Sequence, residues 1–173
     1  MAAEIVLIGP PGSGKSSIAK VLAKRTGKRF VDTDLLIESA AGKKIPEIFL
    51  EDGEESFRTM ERTAVCTALA GDAEIVALGG GAILNEQTQR DLENFPRVVF
   101  LDVSISNAAP RVGFNRERPL LIGNPRAQWL ALMEKRRPIY EKLSKTIIST
   151  DNKKPEEVAI ELLKQVKIGR AHV

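Results

Sequence analysis

Ile5-Val6-Leu7-Ile8-Gly9-Pro10-Pro11-Gly12-Ser13-Gly14-Lys15-Ser16 joins an apolar run to a complete G-x-x-x-x-G-K-[ST] loop. A strand that ends at Gly9 must turn sharply, and the backbone N–H groups of the loop then converge on the phosphates of a nucleoside triphosphate. Gly12, Ser13, Gly14, Lys15, Ser16 and Ser17 form the expected phosphate-binding set. Lys15 is expected to reach the β and γ phosphates. The Ser16 hydroxyl is expected to take one position on a magnesium ion that keeps several waters.

Outward from this loop the chain alternates short apolar strands with helices. Ile18, Val21 and Leu22 recur at helical spacing and Gly27 closes that helix. Residues 29–32 read as a second strand. Residues 34–41 read as a short helix, 45–50 as another entered through Pro46, and 54–70 as a longer one with Phe57, Met60, Ala64, Ala68 and Leu69 on one face. Strands follow over 74–78, 98–101 and 146–148. A helix over 127–137 is expected to break before Pro138, and Pro155 opens a closing helix carrying Ala159, Leu162, Leu163 and Val166. This alternation predicts an α/β domain with a mostly parallel sheet flanked by helices, its ligands gathered at the carboxyl ends of the strands.

The 173 residues suit one compact domain over 1–168, with 169–173 as a frayed tail that makes the lone His172 a poor catalytic candidate. Against 26 basic residues stand 23 acidic ones, and a net charge of only +3 does not indicate nucleic-acid binding. The single cysteine, Cys66, falls in an apolar helical stretch and is expected to pack there, as suits a reducing cytoplasm. No export signal and no membrane span is expected: Met1 leads almost directly into the first strand, and the apolar runs are short.

Three further features bear on the phosphate acceptor. Asp32-Thr33-Asp34 places two carboxylates at a strand end, near the loop if strands one and two are neighbours. One carboxylate can support magnesium and the other can take or orient a hydroxyl proton, although an aspartate at a helix start also serves as a cap. Gly79-Gly80-Gly81 follows a buried strand and offers bare backbone to a small anion or polyol, or else simply a turn. Arg58 and Arg136 lie at the edges of apolar helix faces, where a guanidinium serves a carboxylate or phosphate, though each taken singly also fits a solvated surface.

The ordered series G-P-P-G-S-G-K-S, D-T-D, D-G-E-E-S-F-R, L-G-G-G-A, R-P-L-L and K-R-R-P-I-Y resembles the shikimate kinase family across nearly the whole chain. The resemblance implies a three-layer α/β/α fold with a five-stranded parallel sheet and a mobile lid at about 111–124. It implies ATP-dependent phosphorylation of the 3-hydroxyl of shikimate by a monomer that uses Mg2+. Asp34 would contact the acceptor hydroxyls, Arg58 and Arg136 would hold the acceptor carboxylate, and the triad would contribute through Gly80. Ser16 and Asp32 would serve the metal. Arg118 would approach the transferring phosphoryl group, Arg111 would lie against adenine, and Pro155 would belong to the adenine-side loop. Arg137, turned about 100° from Arg136 on a helix, would face elsewhere. Another small-molecule kinase on the same scaffold, such as a gluconate or nucleoside monophosphate kinase, and a non-enzymatic nucleotide switch are the rival readings.

Overall fold

The computed structural model describes residues 2–112 and 124–166. Five strands, β1 (Ile5–Ile8), β2 (Phe30–Asp32), β3 (Ile75–Ala77), β4 (Val98–Asp102) and β5 (Thr146–Ser149), form one sheet in the order β2-β3-β1-β4-β5. Every neighbouring pair is parallel. The helices are α1 (Lys15–Thr26), α2 (Thr33–Ala41), α3 (Ile45–Ala70), α4 (Glu86–Glu93), α5 (Ile105–Val112), α6 (Pro125–Leu143) and α7 (Pro155–Gln165).

Strand periodicity explains the layers. Ile5 and Leu7 point to one face, where they meet Ile18 and Leu22 of α1 and Val158 and Leu162 of α7. Val6 and Ile8 point to the other face, against Val65 of α3 and Trp129, Met133 and Tyr140 of α6. Because helices cover both faces, β1, β3 and the first four residues of β4 are buried throughout and read as unbroken apolar runs. A smaller cluster of Ile37, Ile45, Ile48 and Phe57 joins α2 to α3 beside the sheet.

Several expectations are corrected. Strand two does not adjoin strand one, since β3 lies between them. The helices expected over 45–50 and 54–70 are both present: α3 consists of two helical segments that meet at a kink at Gly53, whose φ of 86° and ψ of 167° only glycine adopts readily. Cys66 is exposed on α3 rather than packed. Helix α6 passes through Pro138 instead of stopping before it. An interior proline costs about 3 kcal/mol, but Trp129 and Tyr140 on the same helix are almost wholly buried. At ~25 cal/mol/Å², two such aromatic side chains contribute about 4 to 6 kcal/mol each, so packing outweighs the lost hydrogen bond. Two helices escaped the sequence reading. The α4 sequence, EQTQRDLE, buries only Thr88 and Leu92, and α5 carries Pro110 in its last turn.

Candidate active site

The phosphate loop connects β1 to α1 at the carboxyl end of the middle strand. Gly14 at the amino end of α1 has φ 86°, and the helix offers no side-chain cap there, so its first N–H groups are left for a ligand. A cleft of about 620 Å³ opens over this loop. Its floor includes Gly12, Ser13, Gly14, Lys15, Ser16 and Ser17; Asp32 and Asp34 flank it on one side, and Arg111, Lys153 and Pro155 on the other. In this state Lys15 Nζ donates to the carbonyl of Gly9 at 2.6 Å and that of Pro10 at 3.2 Å. The ammonium therefore already rests against the loop that phosphates would enter.

The two aspartates of D-T-D differ. Asp32 caps α2, its Oδ1 accepting from the Asp34 amide at 2.8 Å and the Leu35 amide at 3.4 Å. Its Oδ2 accepts from the Ser16 hydroxyl, which joins the two residues assigned to a metal. Asp34, in the first turn of α2, is thus not the cap and lines the cleft. Thr33 between them is fully buried, and its hydroxyl accepts from the Gly79 amide at 2.9 Å. The tripeptide therefore fixes the glycine triad as well as the cleft, even with β3 intervening.

Close approach explains the three glycines. A Cβ on Gly79 would stand 2.5 Å from Asp34 Oδ1; one on Gly80 would stand 3.3 Å from Pro11 Cδ and 3.4 Å from Arg136 Nη1; one on Gly81 would collide with the Arg58 guanidinium. Asp34, Arg58, Arg136 and the phosphate loop thus converge on the triad from different elements. Gly79→Ala and Gly81→Ala are expected to lower kcat/KM for the acceptor by about 10- to 100-fold, the roughly 1 to 3 kcal/mol typical of overpacking. Gly80→Ala should cost less. Steady-state kinetics beside ADP titrations check this ranking, because nucleotide affinity should hardly move in Gly79→Ala and Gly81→Ala.

Glu61 was missed by the sequence reading. It lies on α3 one turn beyond Phe57, inside the apolar stripe, and a carboxylate in that stripe three residues after Arg58 was the available signal. It accepts from Arg58 Nη1 at 2.8 Å while only 3% exposed, and its Oε2 makes no hydrogen bond among the described residues. Arg58 also lies 3.7 Å from Glu54 and over the Phe57 ring, its guanidinium carbon 5.3 Å from the centroid. Burial pushes the Glu61 pKa up, Arg58 pulls it back, nearby Asp34 raises it further and Arg136 lowers it. Below the ordinary value of 4.5 both folded and unfolded chains hold this proton. As the pH climbs from there the unfolded chain releases it first, so the Glu61 contribution to native stability declines until the raised folded value is passed. Glu61→Gln is expected to flatten the fall of melting temperature as the pH rises above 4.5. Parallel melting curves for both proteins across that range would contradict the assignment.

Arg136, 6% exposed on α6, abuts Gly80, whereas Arg137 faces away. Arg137 makes a two-pronged pair with Asp102, at 3.0 and 2.9 Å, and sits over Phe100. Arg111 and Val112 belong to the last turn of α5 and Asn124 caps α6, so the described ends of the expected lid are parts of helices. Arg111 donates to the Gly12 carbonyl at 3.2 Å and to Thr150 at 3.0 and 2.8 Å, tying the two sides of the cleft. Lys153 pairs with Glu161 at 2.8 Å, and Pro155 begins α7. Arg118 lies outside the described residues.

A phosphate loop at the end of the middle strand of a parallel sheet, with a carboxylate and guanidinium groups across the same edge, defines a phosphate-loop kinase acting on a small molecule. Comparison with known proteins narrows the class. The family model described as shikimate kinase matches residues 11–167. A shikimate kinase from Thermobifida fusca is 52% identical over 161 residues, spanning 93% of each chain, and one from Streptomyces coelicolor is 47% identical over 96% of this chain and 97% of its own. The structure of a shikimate kinase from Acinetobacter baumannii in complex with shikimate superposes with a TM-score of 0.88 at 32% identity, over 93% of this chain and 90% of that one. The chain belongs to the shikimate kinase family.

Proposed function

We propose that this protein transfers the γ-phosphoryl group of ATP to the 3-hydroxyl of shikimate, giving shikimate 3-phosphate and ADP. One observation carries the acceptor assignment: Asp34, Arg58 and Arg136 meet at the glycine triad beside the phosphate loop. A small acceptor with both hydroxyl and carboxylate groups suits that set, because guanidinium forks match a carboxylate and Asp34 matches a hydroxyl. A monophosphate kinase would instead need a pocket for the acceptor base. The solved relative from Acinetobacter baumannii, with shikimate bound, supports the same reading.

In this reaction the acceptor oxygen forms a bond to the γ phosphorus, the bond from that phosphorus to the bridging oxygen breaks, and the electron pair leaves with ADP. Asp34 orients the hydroxyl and receives its proton as the new bond forms. Lys15 leaves the loop carbonyls and stabilises charge on the β and γ oxygens. Arg58, braced by Glu61, and Arg136 hold the acceptor carboxylate. The residues fit magnesium: Ser16 and Asp32 supply hard oxygen donors already in contact at the cleft. No group of three or more His, Cys, Asp or Glu among the described residues forms a metal cage, which suits an ion shared with phosphates and water. When bound, magnesium neutralises negative charge on the phosphates. No described helix is long and apolar enough to cross a membrane, and we place the protein in the cytoplasm as a monomer, where exposed Cys66 stays reduced.

The test is a coupled ADP-release assay with shikimate, gluconate and nucleoside monophosphates presented in turn. Shikimate alone should drive turnover. ADP release independent of any acceptor would favour a nucleotide switch, and turnover with gluconate alone would move the assignment to that acceptor.

A further inference from the structure

Helix α6 touches both substrate sites through two buried side chains that the reaction itself does not use. Trp129 Nε1 donates to the Pro11 carbonyl of the phosphate loop at 2.9 Å. The Tyr140 hydroxyl donates to the Gly80 carbonyl of the triad at 2.6 Å. Trp129 is 2% exposed and Tyr140 is fully buried, its ring stacked on Phe100 of β4 with centroids 5.0 Å apart. Pro11 and Gly80 in turn pack on one another, since a Cβ on Gly80 would stand 3.3 Å from Pro11 Cδ. The contacts close a ring from α6 through Trp129, Pro11, Gly80 and Tyr140 back to α6.

Peptide geometry gives this ring a consequence. In a planar trans peptide the carbonyl and the following N–H point in opposite directions, and the described chain has no cis peptide bond. Holding the Pro11 carbonyl toward α6 turns the Gly12 amide away from α6, and Gly12 lines the nucleotide cleft. Holding the Gly80 carbonyl toward Tyr140 turns the Gly81 amide to the opposite side, and Gly81 is the glycine that Arg58 approaches. Glycines have the most freedom to rotate such a peptide, so a bond that fixes the plane matters most there.

We propose that Trp129 and Tyr140 are positioning residues: Trp129 aims the Gly12 amide of the phosphate loop, and Tyr140 aims the Gly81 amide beside the acceptor. The inference rests on the phosphoryl-transfer reading above. It divides the labour along one helix, because Arg136, between the two on the same buried face, is the residue assigned to the acceptor itself.

Tyr140→Phe and Trp129→Phe each remove the donor while keeping an aromatic ring, and leave a buried carbonyl without its partner. A buried acceptor stripped of its donor typically loses enough to change an equilibrium about 5- to 100-fold. Tyr140→Phe is expected to raise KM for shikimate by roughly tenfold with KM for ATP unchanged, and Trp129→Phe to do the converse. The amide resonances of Gly12 and Gly81 in ADP-bound, 15N-labelled protein give a second readout: Trp129→Phe should displace Gly12 and Tyr140→Phe should displace Gly81. Lowered melting temperatures with both KM values and both resonances unmoved would show a purely structural role and overturn the proposal. So would equal changes in both KM values in both variants. If a variant does not fold, its partner and the milder Tyr140→His, which shortens but does not abolish a polar reach, are judged by the same KM split. A wild-type protein inactive with shikimate would overturn the functional reading instead, while the resonance shifts would still test the clips.

Discussion

Lys15→Ala is expected to reduce kcat/KM for ATP by about a thousandfold or more. The ammonium has two tasks that alanine cannot share. In this structure it donates to the carbonyls of Gly9 and Pro10 and lies 3.3 Å from the Ser13 hydroxyl. With a triphosphate in the cleft it must instead face oxygens whose charge grows as the terminal bond loosens. Losing one preorganised neutral donor at such a centre costs about 10²- to 10³-fold. A charged donor in a cleft that shields it from water is worth at least as much. The loss should appear in kcat as well as in nucleotide affinity, because interaction with the developing charge exceeds that with ground-state ATP. Phosphate-transfer kinetics and ADP titration on a variant with an unchanged melting temperature form the check. Near-normal turnover would remove the loop from the chemistry.

How much of the fold is legible in the sequence follows from where the information lies. β1, β3 and β4 are continuous apolar runs because each is buried on both faces, so their existence is written locally. Their order is not. Nothing local says that β3 inserts between β1 and β2, because pairing of parallel strands is decided by crossovers and by what the helices can cover. Helix α4 was invisible for the opposite reason: it is polar nearly all round and is held by Arg62 of α3, which reaches Thr88 at 2.9 Å and Asp91 at 2.7 Å. In the site, residues that belong to compact motifs were named from the sequence. The cross-chain contacts that hold those motifs together were not. Thr33 and Tyr140 stand inside quoted motifs, but their roles appear only once Gly79 is seen to donate to the one and the other is found on Gly80, 60 residues away in the chain; Glu61 left one local trace, its place in the apolar stripe three residues after Arg58. The same gap explains the error at Pro138, where local backbone preference was outweighed by a buried face that only the folded sheet supplies.

Asp34→Asn is expected to lower kcat by about 10²- to 10⁴-fold, the usual worth of a positioned proton acceptor, with the fold intact. Asparagine keeps the size of the side chain, and the fit against Gly79 leaves little room for any other shape. It also keeps a carbonyl oxygen able to accept a hydrogen bond from the substrate hydroxyl, so acceptor KM should change far less than kcat. What it lacks is the capacity to take the proton and the negative charge that draws the hydroxyl into line. Asp32→Asn makes the contrast that assigns the roles, because Asp32 caps α2 and accepts from Ser16 rather than facing the triad. Truncating a cap of this kind typically costs about 0.5 to 2 kcal/mol of stability, although asparagine caps nearly as well as aspartate. Asp32→Asn should therefore retain its melting temperature and raise the magnesium concentration needed for half-maximal rate. Asp34→Asn should leave that concentration unchanged. If both variants lost kcat equally and shifted the magnesium requirement equally, the two carboxylates would be a single metal-facing pair, and the acceptor proton would have to leave by another route.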